Sequence, residues 1–337
     1  MSDNVLLDVQ NLKVEYKLKG KKTVSAVSDV SLQVMENEIL ALVGESGCGK
    51  STLGKSMIRL VEPVGGQLYF RGDRIDNLDS KRFKPYRRQM QMIFQDPYAC
   101  LDPRMTVRDI IAEPLETYKM CPNAAATTAR VVELLKAVGL QEEHLYRYAH
   151  QFSGGQRQRI GIARSLALRP KFVVCDEAVS ALDVSIQAQI INLLKDLKAQ
   201  QNLTYLFITH DLSVVKYISD RIGVMYLGNM VELGTAEEIF SDPRHPYTVA
   251  LLSSIPTTDV NALKKERIIL EGNIPSPIKP PDGCKFHTRC YMACDKCKRV
   301  PPPYVEVKPG HFVACHFLEQ KIDENGNYLF ETPGKKT

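Results

Sequence analysis

Gly44 to Thr52 reads Gly-Glu-Ser-Gly-Cys-Gly-Lys-Ser-Thr, a run whose residue types and spacing suit the grip of a triphosphate. Gly44, Gly47 and Gly49 remove side chains, so that successive backbone N–H groups, those around Ser46, Cys48 and Thr52 included, can curl around phosphate oxygens at a helix N-terminus. Lys50 then reaches the β- and γ-phosphates as a mobile point charge. Ser51 offers a hydroxyl ligand to Mg²⁺, and the expected ligand is therefore a magnesium nucleotide, ATP.

Other residues could complete that chemistry. Asp176 and Glu177 lie at the carboxyl end of an apolar run, where an aspartate can hold Mg²⁺ and the next acid can orient or deprotonate an attacking water. Ser153-Gly154-Gly155-Gln156 forms a second anion-binding helix start, whose hydroxyl and N–H groups could cradle a γ-phosphate. One phosphate loop already serves one nucleotide, so this second element is expected to face a nucleotide bound to another subunit. Tyr16 is placed where an aromatic ring could stack on a base or could simply pack. Taken alone, His210 at a strand end reads as a packing histidine.

The elements that must position these residues follow from hydrophobic periodicity. Ile39–Val43, Met90–Phe94, Phe172–Cys175 and Leu203–Ile208 are short apolar runs expected to be buried strands. Leu53–Leu60, Thr127–Gly139 and Ser185–Leu197 have helical spacing, the last with Ile186, Ile190, Leu194 and Leu197 on one face, and Ser153 opens a further helix through Leu166. Their alternation predicts a mainly parallel sheet with helices on both faces. Val5–Tyr16, Val30–Val34 and Gln67–Phe70 predict an antiparallel sheet beside it. Lys81–Arg88, which contains Pro85, reads as a solvated basic surface. Beyond about residue 240 proline becomes frequent and regular structure is expected to thin out; Asn325–Thr337 are expected to fray.

Composition sets the outer bounds. The chain has 337 residues with a net charge of +5, a mild excess that does not choose between anionic lipid and nucleic acid. No run approaches a membrane span of roughly 18 apolar residues, and the first residues lack the pattern of a secretory signal. A cytosolic location is expected. Of nine cysteines, Cys48, Cys100, Cys121 and Cys175 are scattered, whereas Cys284, Cys290, Cys294, Cys297 and Cys315 cluster. Thiolates at Cys284, Cys290, Cys297 and Cys315 could enclose a [4Fe-4S] cluster, while the Cys294/Cys297 pair and nearby His287, His311 and His316 keep tetrahedral zinc open.

The stretch Phe-Ser-Gly-Gly-Gln at 152–156 resembles the signature motif of ATP-binding cassette transporter ATPases. Val-Val-Cys-Asp-Glu at 173–177, Ser-Ala-Leu-Asp at 180–183 and Thr-His-Asp at 209–211 resemble their Walker B, D-loop and switch motifs. The resemblance implies that Gln95 senses Mg²⁺ and the membrane partner, that Asp183 lies in a loop crossing the dimer interface, and that His210 contacts the γ-phosphate. The family usually has proline after the catalytic glutamate; Ala178 stands there instead, and hydrolysis is expected to survive because the acid remains.

Gly54–Pro63, Ile93–Pro103, His245–Pro256 and Ile274–Cys290 further resemble the ATP-binding subunits of oligopeptide and dipeptide importers, with nickel importers sharing parts of the pattern. That resemblance implies an α/β fold with a P-loop RecA-like core, an antiparallel β subdomain, a helical signature subdomain near residues 97–160, and an irregular Cys/Pro-rich C-terminal extension. Residues 1–255 would form the nucleotide-binding domain and 256–337 the extension. It also favours the [4Fe-4S] cluster over zinc, with free thiols as the remaining alternative, and leaves Cys294 outside the ligand set. The implied partners are a sister ATPase subunit, two integral-membrane permease subunits and an extracellular binding protein, with no nucleic acid. The chain would sit on the cytoplasmic face of the cell membrane. A nickel or other small-solute importer, or a soluble non-transport cassette protein, is the alternative.

Overall fold

Alternating apolar residues start the chain as two long strands, β1 (Val5–Lys17) and β2 (Thr23–Met35), followed by the fully buried β3 (Ile39–Val43). The computed structural model describes residues 4–17, 23–96, 98–180, 182–255 and 268–317; the expectation of a frayed Asn325–Thr337 lies outside them. A left-handed Gly49 opens α1 (Lys50–Met57), and left-handed Arg59 follows its end. Next come β4 (Gly65–Phe70), the short β5 (Asp73–Arg74) and α2 (Ser80–Gln89).

The basic run around Pro85 is thus helical. Asp79 caps it by accepting from the Arg82 N–H, and Phe83 anchors it in the interior while the charges stay in water. The chain continues through β6 (Met90–Ile93), α3 (Val107–Thr117), α4 (Ala124–Ala137), α5 (Gly154–Leu166), β7 (Phe172–Asp176), α6 (Val184–Gln201) and β8 (Thr204–Ile208). Then follow α7 (Leu212–Ile218), β9 (Arg221–Tyr226), β10 (Asn229–Thr235), α8 (Ala236–Ser241), α9 (Pro246–Ser253), α10 (Asp295–Arg299), β11 (Val305–Lys308) and β12 (His311–Val313).

These elements group into two compact units. One contains Met35–Ile39 and Asn77–Thr209 with the described residues before Leu7; the other contains Leu7–Val34, Leu40–Asp76 and the described residues from His210 onward.

In the first unit β6, β7 and β8 are parallel, with β7 central: Met90 stands opposite Phe172, and Phe172 opposite Thr204. Every residue of β7 and β8 is buried, which is why they read as continuous apolar runs rather than alternating ones. Helices α3, α4 and α5 pack on one another, and Ile110, Ile111, Val131, Leu135 and Ile160 on them are buried.

In the second unit an antiparallel sheet has the order β2-β1-β4-β5. Separately, β3 runs parallel to β9, and β9, β10, β12 and β11 continue as antiparallel neighbours. The core beside them gathers Val43, Ile222, Val224, Tyr226, Tyr247 and Phe286. Phe286 comes from the proline-rich segment, yet its ring lies 5.2 Å from the Tyr226 ring, 5.2 Å from Tyr247 and 5.7 Å from His245. Burying such a ring contributes about 2 kcal/mol, so this part of the extension is packed into the unit's own core. The mixed α/β class expected of a P-loop cassette is what the chain adopts.

Candidate nucleotide site

The phosphate loop belongs to the second unit. Gly44 has φ 148°, and a Cβ there would lie 2.3 Å from the Met225 carbonyl oxygen; at Gly49, φ 104°, it would lie 2.2 Å from the Ala26 carbonyl oxygen. Only glycine lets the loop pass so close to backbone while turning left-handed. α1 begins directly after Gly49 with no side-chain cap, leaving its first N–H groups to an anion. Lys50 is 5% exposed, and its ammonium donates to the carbonyls of Gly44 at 2.8 Å and Glu45 at 3.0 Å. Beside it the buried Cys48 Sγ lies 3.7 Å from Lys50 Nζ, and burial pushes that thiol's pKa up, so it remains neutral beside the lysine.

Ser46 and Gly47 are exposed at the loop's crest, and Ser51 and Thr52 are half-buried on the first turn of α1. The Tyr16 hydroxyl lies 3.4 Å from Thr52 Oγ1, which puts a largely exposed ring beside the loop. His210, also in this unit, is exposed one residue before Asp211, which caps α7 by accepting from the Ser213 and Val214 N–H groups.

The first unit carries the acids. Asp176 ends β7 and is 3% exposed. Glu177 follows with φ 46°, a left-handed backbone uncommon outside glycine. Its N–H donates to the Ile208 carbonyl at 2.9 Å, while its own carbonyl accepts from the Ser180 N–H at 3.1 Å and the Ser180 hydroxyl at 3.0 Å. Gln95 Nε2 donates to Glu177 Oε2 at 2.7 Å, bringing together two residues chosen separately in the sequence.

Ser153 caps α5 reciprocally: its Oγ accepts from the Gln156 N–H and Gln156 Oε1 accepts from the Ser153 N–H. Ser153 remains exposed. A Cβ on Gly155 would meet Ile186 Cγ2 of α6 at 2.6 Å, so this glycine permits close packing of the two helices. Asp183 precedes α6 on an exposed turn.

The cysteine cluster departs from expectation. Among the described residues no group of three or more His, Cys, Asp or Glu is arranged to hold a metal ion. The assignment of a [4Fe-4S] cluster, or zinc, to Cys284, Cys290, Cys297 and Cys315 is therefore not supported. The physical reason is packing. Cys284 and Cys290 pack against the core around Phe286, and Cys315 packs with Val307 and Val313. Burial raises the pKa of Cys284 and Cys297 and pushes Cys290 and Cys315 up to about 12, so these thiols are protonated in the metal-free chain. Cys297 instead has its Sγ 3.5 Å from that of Cys294, the cysteine outside the expected ligand set. Cys297 and Cys315 are buried, while Cys284, Cys290 and Cys294 are half-buried.

Sequence reasoning did not identify the residues that hold the loop from behind. Glu45 Oε2 accepts from Arg289 Nη1 at 2.6 Å and Glu45 Oε1 from Nη2 at 3.0 Å, while the Glu45 N–H donates to the Tyr247 hydroxyl at 2.9 Å. The signal was present in the acid at the second loop position, but its partners stand more than two hundred residues away.

Residues 27–180 match the ABC transporter family, and residues 231–297 match the family described as oligopeptide/dipeptide transporter, C-terminal region. The putative oligopeptide transport ATP-binding protein YkfD of Bacillus subtilis is 54% identical over 92% of this chain and 95% of its own. The oligopeptide transport ATP-binding protein OppF of Haemophilus influenzae is 49% identical over 92% of this chain and 96% of its own. Among solved structures, the dimeric ATP-binding cassette MJ0796, in a post-hydrolysis state bound to ADP and Pi, superposes with a TM-score of 0.63 at 29% identity, covering 68% of this chain and 99% of its own.

Proposed function

Because the chain belongs to the ATP-binding cassette transporter family, among its oligopeptide transport ATP-binding proteins, we propose that it is the ATP-hydrolysing subunit that energises import of short peptides through a membrane permease. The observation that carries this reading is the phosphate loop: an uncapped helix N-terminus with the Lys50 ammonium held at 2.8 Å from the Gly44 carbonyl. Together these present a focused positive potential to a polyphosphate.

In this reading residues 1–255 form the nucleotide-binding domain and 256–337 the family's extension. Backbone N–H groups from Gly44 to Thr52 and the Lys50 ammonium bind the phosphates, and Tyr16 lies against the base. On the family resemblance Ser51, Gln95 and Asp176 would hold Mg²⁺, which would spread positive charge over the β- and γ-oxygens. The Glu177 carboxylate accepts the proton of the attacking water as its oxygen bonds to the γ-phosphorus, and the bond to the β–γ bridging oxygen breaks. His210 contacts the γ-phosphate.

Ser153 to Gln156 act on the nucleotide of a sister ATPase, with Asp183 at the dimer interface. Two permease subunits and an extracellular binding protein complete the importer. No helix among the described residues is long and apolar enough to cross a membrane; the chain would attach peripherally, at the cytoplasmic face, through the permease. Nucleotide-dependent closure of the ATPase pair then biases the permease between its inward- and outward-facing states, because the closed pair prefers ATP to ADP.

The test is reconstitution with the membrane chains that co-purify in mild detergent. Peptide uptake that needs ATP and is lost with Glu177→Gln supports the proposal. Uptake of nickel but not peptides, or co-purification with ribosomal proteins and no permease, overturns it.

A further inference from the structure

We propose that Arg289, in the C-terminal extension, is a positioning residue for the phosphate loop: by neutralising and fixing the Glu45 carboxylate it sets the loop's affinity for nucleotide, so the extension tunes the ATP site in cis. This rests on the nucleotide-binding reading above and goes beyond it, because it gives the extension a part in the site.

Glu45 is held by side chain, N–H and carbonyl at once. Its carboxylate takes both ends of the Arg289 guanidinium, its N–H donates to the Tyr247 hydroxyl, and its carbonyl receives the Lys50 ammonium. Two of these holders come from beyond the phosphate loop. Tyr247 stands in the first turn of α9. Arg289 stands three residues after Phe286, its N–H donating to the Phe286 carbonyl at 3.0 Å, and Phe286 is locked in the aromatic cage of Tyr226, Tyr247 and His245. The cage therefore fixes both holders against the same core.

The Arg289 side chain is 7% exposed and that of Glu45 24%, so the pair is only weakly screened by solvent. The fork geometry, two parallel bonds from one guanidinium, also fixes orientation. The Glu45 pairing further raises the guanidinium's pKa, and the charge persists at any physiological pH. The electrostatic consequence is direct. A bare carboxylate next to Gly44 would repel the phosphates and compete for Lys50; paired with Arg289 it does neither.

The test uses the full-length chain and ADP as probe, so that hydrolysis does not intervene, with binding read by calorimetry. Arg289→Met should raise the Kd for ADP about ten-fold, the scale of coupling typical between linked sites. Adding Glu45→Gln to that variant should return the Kd to within about two-fold of the natural chain, since the unpaired charge is gone. Arg289→Lys, which keeps the charge and loses the fork, should fall between.

An unchanged Kd in Arg289→Met overturns the proposal, and so does a loss that Glu45→Gln fails to relieve, which would mark a general folding defect. Failure of the natural chain to bind ADP would instead overturn the nucleotide-binding reading itself.

Discussion

Gln95 Nε2 donates to Glu177 Oε2 across 2.7 Å, although the two are separated by three helices in sequence. The contact orients a carboxylate whose backbone is already fixed in the left-handed region, at φ 46°, by bonds to Ile208 and Ser180. In the hydrolysis proposed above, a carboxylate held at both backbone and side chain would serve as a base set for one direction of proton transfer. Glu177→Gln should therefore reduce ATP turnover at least about 100-fold while sparing nucleotide binding, the range expected for loss of a general base. Gln95→Ala should give a smaller loss, because the acid remains but is freed. Steady-state phosphate release from the reconstituted importer checks both, and the natural protein, with Ala178 after the acid, should be active.

The second prediction concerns Phe286. Its ring is 1% exposed and packed against Tyr226, Tyr247 and His245. Phe286→Ala removes the ring and leaves a cavity, a change that costs about 3–5 kcal/mol. Urea unfolding of the purified chain should show a lower midpoint. An extension that docked only loosely would give a change below about 0.5 kcal/mol, the surface value.

How much of this was legible in the sequence depends on the range of the interaction. Ile39–Val43 was readable residue for residue, since a strand buried on both faces is simply a continuous apolar run. The helix after it was read too late: Lys50, Ser51 and Thr52 are polar, so periodicity begins at Leu53, whereas Gly49 starts the helix at Lys50. The Ser153 cap was local and visible. Pro85 concealed α2, because proline normally breaks a helix interior and the burial of Phe83, which anchors that helix, is not a sequence property. The cysteine cluster showed its spacing but not its arrangement in space, and among the described residues that arrangement forms no metal-holding group. The clamp on Glu45 needed the fold itself.

Glu232 yields the third prediction. It lies on β10 with 0% exposure. Its Oε1 accepts from the Arg244 N–H at 2.7 Å and from His311 Nε2 at 2.9 Å, and its Oε2 accepts from the His245 N–H at 2.9 Å. One carboxylate thus ties the start of α9 to the β11–β12 hairpin. Glu232→Ala orphans all three donors and should destabilise the chain by about 3 kcal/mol or more. Glu232→Gln keeps acceptor capacity on one oxygen only and should lie between the natural chain and the alanine variant in thermal melting.

His245 gives stability a pH dependence whose sign is fixed by the structure. It is 1% exposed, and burial depresses its pKa from 6.5 to about 4, with the nearby Glu232 opposing the shift. Its Nδ1 accepts from the Tyr247 N–H at 3.1 Å, which requires that nitrogen to be unprotonated. The folded chain therefore holds His245 neutral while the unfolded chain takes up a proton below about pH 6.5. Its contribution is complete above that value and is lost as pH falls from about 6.5 towards about 4, at a limiting slope near 1.4 kcal/mol per pH unit. His245→Asn keeps an N-cap side chain without a titrating group, so the slope of stability between pH 6 and pH 5 should flatten by roughly that amount. Denaturant midpoints measured at both pH values in the two proteins decide it: equal slopes would place the titration elsewhere.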